Sequence, residues 1–390
     1  MKVKKFFILL SPLIVILIIS IILNNRSLIL GIIVSIIYIM HLLTKRKYIL
    51  WIPFIALFFL FFIKLDSSLG RILIYRISLP ILKDNWLTGI GVGNTKYVYP
   101  FYQEHYFKLG KNSQQDILLA DNTYYLFNEY YTIILELGVF IVPFILIFFM
   151  IINRQIKILI NSEPSILTVI LTSILITFLI YSAFNFTISA YPILLVPLTS
   201  LISLLFSSYL RKNLFFIILL MFISIVPYLF YRFEKMSINN IYEYYRAGID
   251  LNYQELLKEE PYFYQSKRQY LNLKSEIFYK NEKWEDARVA TIQLIHQYPC
   301  DLYIVRLGLI FENMGNIKEA ENFLIRSTYF VPRRLTSRYE LFKFYIRNNQ
   351  VEKAKRIAYE IKNKKIKISS EITNFIIFEV TNYINTHEIN

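Results

Sequence analysis

Long apolar segments dominate the chain as far as Tyr231, and they constrain its fold more than any other feature. A helix needs about 17–25 mostly apolar residues to cross a bilayer core of about 30 Å. On this criterion the sequence predicts seven spans: Phe6–Leu23, Ser27–Leu43, Tyr48–Ile63, Tyr131–Ile152, Ile166–Phe184, Tyr191–Leu210 and Leu214–Tyr231. Up to Tyr231 there are 18 basic and 8 acidic side chains, whereas the part from Arg232 onward has 25 and 20. We therefore expect an all-α protein with a polytopic membrane domain over residues 1–231 and a separate domain over residues 232–390.

Positive charges in the short connections predict how these spans are oriented. One set of connections holds ten basic residues, whereas the alternate short connections hold only Arg26. The ten are Lys2, Lys4, Lys5, Lys45, Arg46, Lys47, Arg154, Lys157, Arg211 and Lys212. This asymmetry predicts a multi-pass protein of the cytoplasmic (inner) membrane with a cytoplasmic N-terminus. The long loop 64–130 and the C-terminal domain would then both be periplasmic.

Several classes of chemistry have little support in the composition. A single cysteine, Cys300, excludes an intrachain disulfide framework, and the four histidines show no metal-ligand spacing. No phosphate-binding GxxxxGK[ST] motif occurs. The net charge of +15 is spread over both parts of the chain. We therefore expect no metal, no cofactor and no nucleic-acid partner.

The C-terminal part contains an internal repeat. Small residues recur at Ala287, Ala320 and Ala354, and prolines recur at Pro299 and Pro332, with a 33–34-residue period. Each unit reads as a helix, a tight polar turn, a second helix that opens on an alanine, and a proline that stops it. This pattern resembles the tetratricopeptide repeat family and implies an α-solenoid. Such arrays commonly bind peptides or proteins, so a protein partner is one expectation; a rigid spacer or an intramolecular support is the alternative.

The long loop carries an ordered series of motifs. S-x-G-R ends at Arg71, K-D-x-x-L-x-G-x-G-x-G ends at Gly93, Y-Q-x-x-Y-F ends at Phe107, and D-N-x-x-x-x-F-N-E-Y ends at Tyr130, before E-L-G. Together with the Asn-Arg-Ser turn at Arg26, this order resembles the later half of the O-antigen ligase/polymerase family. The three glycines lack the surrounding βαβ unit of a dinucleotide site and are better explained by tight turns or a close approach of the backbone to a ligand.

The resemblance implies a metal-independent glycosyltransferase. Its donor would be a glycan linked to undecaprenyl diphosphate, and its acceptor a hydroxyl of a glycan, a lipid or a protein, at the outer face of the cytoplasmic membrane. By the resemblance, Arg26 and Arg71 bind the diphosphate, for which guanidinium groups are well suited. Phe127 stands where many members of the family have a histidine base, so Glu129 and His105 are the candidate catalytic bases. The structural alternatives are an interfacial or solvated role for the arginines and simple hydrogen bonding for Glu129 and His105.

Two further features of the loop are of interest for function. Glu136 lies two helical turns after Glu129 and is a further candidate for a functional acid. The aromatic cluster Tyr97–Phe107 could stack on sugar rings, or simply contact membrane lipid at the interface. The competing functional hypothesis is a non-catalytic, membrane-anchored tetratricopeptide scaffold in envelope polysaccharide assembly.

Overall fold

The computed structural model describes residues 13–23, 25–44, 65–110, 112–161, 166–186, 236 and 264–388. These residues form helices and connections without a strand among them, which agrees with the expected all-α fold. Residues 13–22 are helical. The helices that follow are α1 (Arg26–Thr44), α2 (Leu65–Asp84), α3 (Thr95–Lys108), α4 (Gln114–Leu119), α5 (Glu129–Leu137), α6 (Val142–Asn161), α7 (Ile166–Ser182), α8 (Tyr264–Lys280), α9 (Trp284–Gln297), α10 (Asp301–Asn313), α11 (Ile317–Phe330), α12 (Thr336–Arg347), α13 (Val351–Lys362) and α14 (Glu371–Glu388).

The predicted polytopic membrane domain is wrong. Among the helices of the described residues, none is both long enough and apolar enough to cross a bilayer. The same finding contradicts the predicted place in the cytoplasmic membrane, with a cytoplasmic N-terminus and a periplasmic C-terminal domain. The predicted spans Tyr48–Ile63, Tyr191–Leu210 and Leu214–Tyr231 lie outside the described residues, as does the predicted domain boundary at Tyr231.

The structure gives physical reasons why three of these apolar segments do not form the predicted spans. The predicted span Tyr131–Ile152 is not one helix, because α5 ends at Leu137 and a single 3-10 turn separates it from α6. Helix α7 has 17 residues, the lower limit of the length needed to cross a bilayer, and rises only about 26 Å against a core of about 30 Å. In α1 the apolar stretch between Arg26 and His41 rises only about 21 Å, although the helix coincides with a predicted span.

The chain forms two compact units, and the segments that build them alternate along the sequence. The first comprises Met1–Ile72, Leu82–Thr95 and Tyr125–Tyr228, and the second comprises Leu73–Ile81, Lys96–Tyr124 and Leu229–Asn390. The middle of the long loop therefore belongs to the same unit as the C-terminal helices. The two units are described separately below.

In the first unit, α1 packs against α7 at a close crossing. A side chain at Gly31 would approach the backbone oxygen of Thr177 to 2.9 Å, so the two backbones come together where only glycine fits. The hydroxyl of the buried Ser35 lies 2.8 Å from the carbonyl oxygen of Ser173 and 2.7 Å from the Thr177 hydroxyl. These bonds satisfy polar groups that would otherwise be buried without partners.

In the second unit, successive helices α8 to α14 pack against one another in chain order. The turns between paired helices come at the positions that the repeat period indicates, and the repeated alanines Ala287, Ala320 and Ala354 are fully buried. Because an alanine side chain is small, the facing helices approach closely and bury aromatic and aliphatic neighbours such as Phe330 and Phe344. We call α8–α13 the repeat array.

Candidate functional site

Arg26, the first residue of α1, reaches the start of α2 in the first unit. Its guanidinium donates from Nη1 to Oγ of Ser68 at 3.1 Å and from Nη2 to Oγ of Ser67 at 3.0 Å. Partial burial lowers the pKa of Arg26, but a guanidinium remains charged at any physiological pH. A permanent positive charge is therefore held beside the first turn of α2.

Arg71 lies one helical turn after Ser67 on α2, so it projects from the same face. Its guanidinium carbon is 5.3 Å from the centre of the Phe127 ring, a cation–π distance. Phe127 has a φ of 57°, a left-handed conformation that is uncommon for a bulky residue. The structure thus brings both arginine-bearing motifs and Phe127 together in the first unit.

Glu129 follows immediately as the first residue of α5. Asn128 caps this helix, because its side-chain oxygen accepts a hydrogen bond from the backbone N–H of Tyr131 at 3.0 Å. Glu129 is only 1% exposed, so its carboxyl group lies in the interior of the first unit. Arg26, Arg71 and Glu129 all belong to the first unit.

His105 belongs to the second unit. It lies on α3 with its side chain exposed, and the neighbouring Glu104 and Gln103 are buried. Also in this unit, Arg76 pairs with the buried Asp116 at 3.2 Å, and the Tyr106 hydroxyl donates to the same carboxylate at 3.0 Å. The two candidate bases, Glu129 and His105, are thus divided between the two units.

The glycine run has a structural explanation in the first unit. Gly89 has a φ of 69°, and a side chain there would lie 2.3 Å from the carbonyl oxygen of Glu136. The backbone N–H groups of Ile90 and Gly91 donate to the carbonyl oxygens of Leu135 and Glu136 at 3.1 and 2.9 Å. The G-x-G-x-G and E-L-G motifs are therefore two sides of one close contact between backbone segments, whereas the sequence analysis expected tight turns or a ligand there.

Glu136 takes part in this contact through its side chain. Its carboxylate accepts hydrogen bonds from the Thr95 hydroxyl at 2.7 Å and the Thr95 backbone N–H at 3.4 Å. It therefore caps the start of α3, a structural role for the carboxyl group that the sequence analysis had weighed as a functional acid.

Sequence reasoning missed Ser67 and Ser68 as partners of Arg26. Their one signal is position, since Ser68 opens the S-x-G-R motif that ends at Arg71. No spacing rule links them to a residue that lies 41 positions earlier. In the part of the chain that the structure describes, no group of three or more His, Cys, Asp or Glu side chains is placed to hold a metal ion.

Comparison of the chain with models of protein families, with curated proteins and with solved structures finds no match.

Proposed function

We propose that this chain transfers a glycan from undecaprenyl diphosphate to an acceptor hydroxyl, and that Arg26 and Arg71 hold the diphosphate of the donor. The observation that carries the proposal is the pair of hydrogen bonds from Arg26 to Ser67 and Ser68, one turn before Arg71. These contacts join two motifs that are far apart in the sequence. The resulting group offers two permanent positive charges for a diphosphate.

The proposed reaction assigns each group one task. The acceptor hydroxyl oxygen forms a bond to the anomeric carbon of the glycan, and the bond from that carbon to the diphosphate oxygen breaks. The diphosphate leaves with the electron pair, and the two guanidinium groups stabilise the charge that develops on it. A carboxylate takes the hydroxyl proton; we assign this role to Glu129, which shares a unit with both arginines.

A non-catalytic scaffold is the second candidate. It is favoured by Phe127, because a phenyl ring cannot exchange a proton and here faces the guanidinium of Arg71. In this case the arginine group is a structural remnant, and the repeat array carries the biological role.

Diphosphate binding tests the proposal most directly. Farnesyl diphosphate, a short prenyl diphosphate, should bind the purified chain, and Arg26→Ala or Arg71→Ala should each weaken binding by roughly 10–100-fold, because each removes charge-assisted hydrogen bonds of about 1.5–3 kcal/mol. Isothermal calorimetry gives the affinities. Arg154→Ala is the matched control, since Arg154 is exposed in the same unit, and it should leave the affinity unchanged.

An assay of glycan transfer distinguishes the enzyme from the non-catalytic scaffold. A fluorescent glycan on undecaprenyl diphosphate is offered with a glycan, a lipid or a protein acceptor in separate reactions. Transfer that Arg71→Ala or Glu129→Gln abolishes supports the enzyme. If the wild-type chain binds farnesyl diphosphate no better than the Arg71→Ala variant, or moves no glycan to any acceptor, the scaffold is the better account.

A further inference from the structure

Two turns of the repeat array have equivalent positions and line one edge. The first turn, Tyr298–Asp301, joins α9 to α10, and the second, Phe330–Arg334, joins α11 to α12. Asp301 and Arg334 are 33 residues apart, one repeat, and their side chains pair directly at 2.9 Å. We call these two turns, together with Arg326 at the end of α11, the turn edge. These two side chains carry opposite charges at equivalent positions of successive repeats, so the turn edge is a polar surface.

A segment of the same chain is bound to this edge by an ionic network. Arg334 donates from Nη2 to Asp121 at 2.9 Å while its Nη1 donates to Asp301. Asn122 donates from its amide to the same oxygen of Asp301 at 2.9 Å, and Arg333 also pairs with Asp121. Asp301 is fully buried, so its carboxylate depends on Arg334 and Asn122 for its compensating contacts.

Helix α3 makes a second set of contacts with the edge. The carboxylate of Glu104 accepts two hydrogen bonds from Arg326, at 2.7 and 3.0 Å, the bidentate geometry in which such pairs are strongest. Gln103 donates its amide to the backbone oxygen of Phe330. Phe101 places its ring edge-on to that of Phe330, with 5.8 Å between ring centres.

Aromatic stacking completes the contact. The ring of Tyr124 stacks on that of Tyr298 at 3.8 Å, and Arg268 from α8 lies 3.4 Å from the centre of the Tyr298 ring. Desolvation at this position raises the pKa of Tyr124 far above its ordinary value. Charge, amide and ring contacts thus all come from Phe101–Tyr124 on one side and from the repeat array on the other.

We infer that the turn edge of the repeat array is a peptide-binding surface and that its ligand is the chain's own segment Phe101–Tyr124. The recognised chemistry is the Gln103–Glu104 pair of α3, followed by the Asp-Asn-x-Tyr sequence at residues 121–124. The inference is independent of the proposed transfer reaction. It assigns the array the role of an intramolecular receptor, and any other protein can occupy this edge only by displacing the segment.

Charge reversal at Glu104 and Arg326 tests the inference in the full chain. Glu104→Arg should raise the hydrogen-exchange rates of amides 112–124 by about 10-fold or more, because two guanidinium groups would then face each other at the edge. Adding Arg326→Glu should restore slow exchange. Glu285→Arg reverses a charge on the exposed surface of the array and should not change these rates. Unchanged exchange in Glu104→Arg, or no recovery in the double variant, would overturn the inference.

Binding of a separate peptide tests the same inference, and it applies also when a variant is less stable than the wild type. A fluorescein-labelled peptide of residues 95–126 should bind saturably to the Glu104→Arg chain, whose edge is vacated while Arg326 is intact. It should bind the wild-type chain at least about 10-fold more weakly, because the edge is already filled. The same peptide carrying Glu104→Arg should bind neither chain. Equal binding to both chains, or binding to neither by the wild-type peptide, would contradict the inference.

Discussion

Gly89 and Gly138 each place backbone where a side chain would collide with the opposite segment. A side chain at Gly138 would come within 2.1 Å of the carbonyl oxygen of Leu87, and one at Gly89 within 2.3 Å of that of Glu136. Both also have positive φ angles, so two independent restrictions act at each position. The glycines position the start of α3 and the end of α5 rather than a nucleotide.

The cost of this contact is measurable by comparing two glycines of one loop. Gly89→Ala should lower the free energy of unfolding by about 3–5 kcal/mol, because it adds a backbone clash to a strained φ. Gly93 has a φ of 76° but nothing within 4 Å of an added side chain, so Gly93→Ala should cost only about 1–2 kcal/mol. Urea unfolding of the two variants gives the difference. Equal costs would mean that the Gly89 contact is looser than the structure has it.

The candidate site chosen from the sequence stays a prediction, and the structure adds the positions of its residues. The motif order selected Arg26, Arg71 and Glu129, and these three residues do lie in one compact unit. The serine partners of Arg26 were missed because they contribute through tertiary proximity, which neither charge nor periodicity encodes. Whether this group binds a diphosphate remains the prediction that farnesyl diphosphate tests.

At the scale of elements, helix packing in the repeat array depends on small residues at fixed positions. Gly308 on α10 faces Leu324 and the backbone of Ala320 on α11, with 2.8 Å between an added side chain and Leu324 Cγ. Ala320 is itself fully buried. The two helices are therefore close enough that little volume separates them.

Ala320→Leu should accordingly destabilise the chain by about 1–3 kcal/mol, because extra carbon atoms have no space between α10 and α11. Lys318→Leu introduces the same side chain at an exposed position of the same helix, and its effect should stay within about 0.5 kcal/mol. Thermal unfolding followed by circular dichroism compares them. Equal melting temperatures would show that the pair is loosely packed.

The apolar segment Tyr131–Ile152, predicted as one span, is divided between two helices by a contact between elements. Hydropathy averages over a window and so treats the segment as one continuous helix. The break comes from Gly138, whose φ of 75° ends α5 and lets the backbone N–H of Val139 donate to the carbonyl oxygen of Trp86 at 2.8 Å. A partner far earlier in the sequence interrupts the helix, and no local average can detect it.

At the scale of the whole molecule, the division into two units cuts across the chain order. The segment Lys96–Tyr124 joins the C-terminal repeat array, although residues before and after it belong to the first unit. Long-range ion pairs such as Arg326–Glu104 join positions 222 residues apart in the sequence. The long loop therefore contributes to two bodies, and the array is more than an appended domain.

Cys300 reports on the integrity of the second unit as a whole. Burial raises the pKa of its thiol to about 11, and it packs in the hydrophobic cluster with Leu294 and Val331. At pH 8 its alkylation by iodoacetamide should be at least about 100-fold slower in the native chain than in urea, because the native thiol is both protonated and covered. Mass spectrometry of the alkylated chain measures both rates.

The raised pKa of the Cys300 thiol makes the stability of the chain depend on pH. The unfolded thiol ionises near pH 8.5, whereas the native thiol keeps its proton until about pH 11. The unfolded state therefore loses its proton first, and the thiol's contribution to stability should fall as the pH rises from 8.5 to 11. The stability advantage of the wild type over Cys300→Ala should shrink over this range. Rapid alkylation of the native chain at pH 8 would contradict both statements.

The helical character, the repeat period and the positions where glycine or alanine must stand follow from the order of residues alone, because these depend on local backbone and side-chain volume. Packing in three dimensions sets which apolar segments are continuous helices, where Arg26 finds its partners and where the middle of the long loop binds. These outcomes depend on contacts between residues 41 to 227 positions apart. Such contacts form from the shape and charge of packed surfaces, which a linear pattern of hydropathy and motifs does not contain.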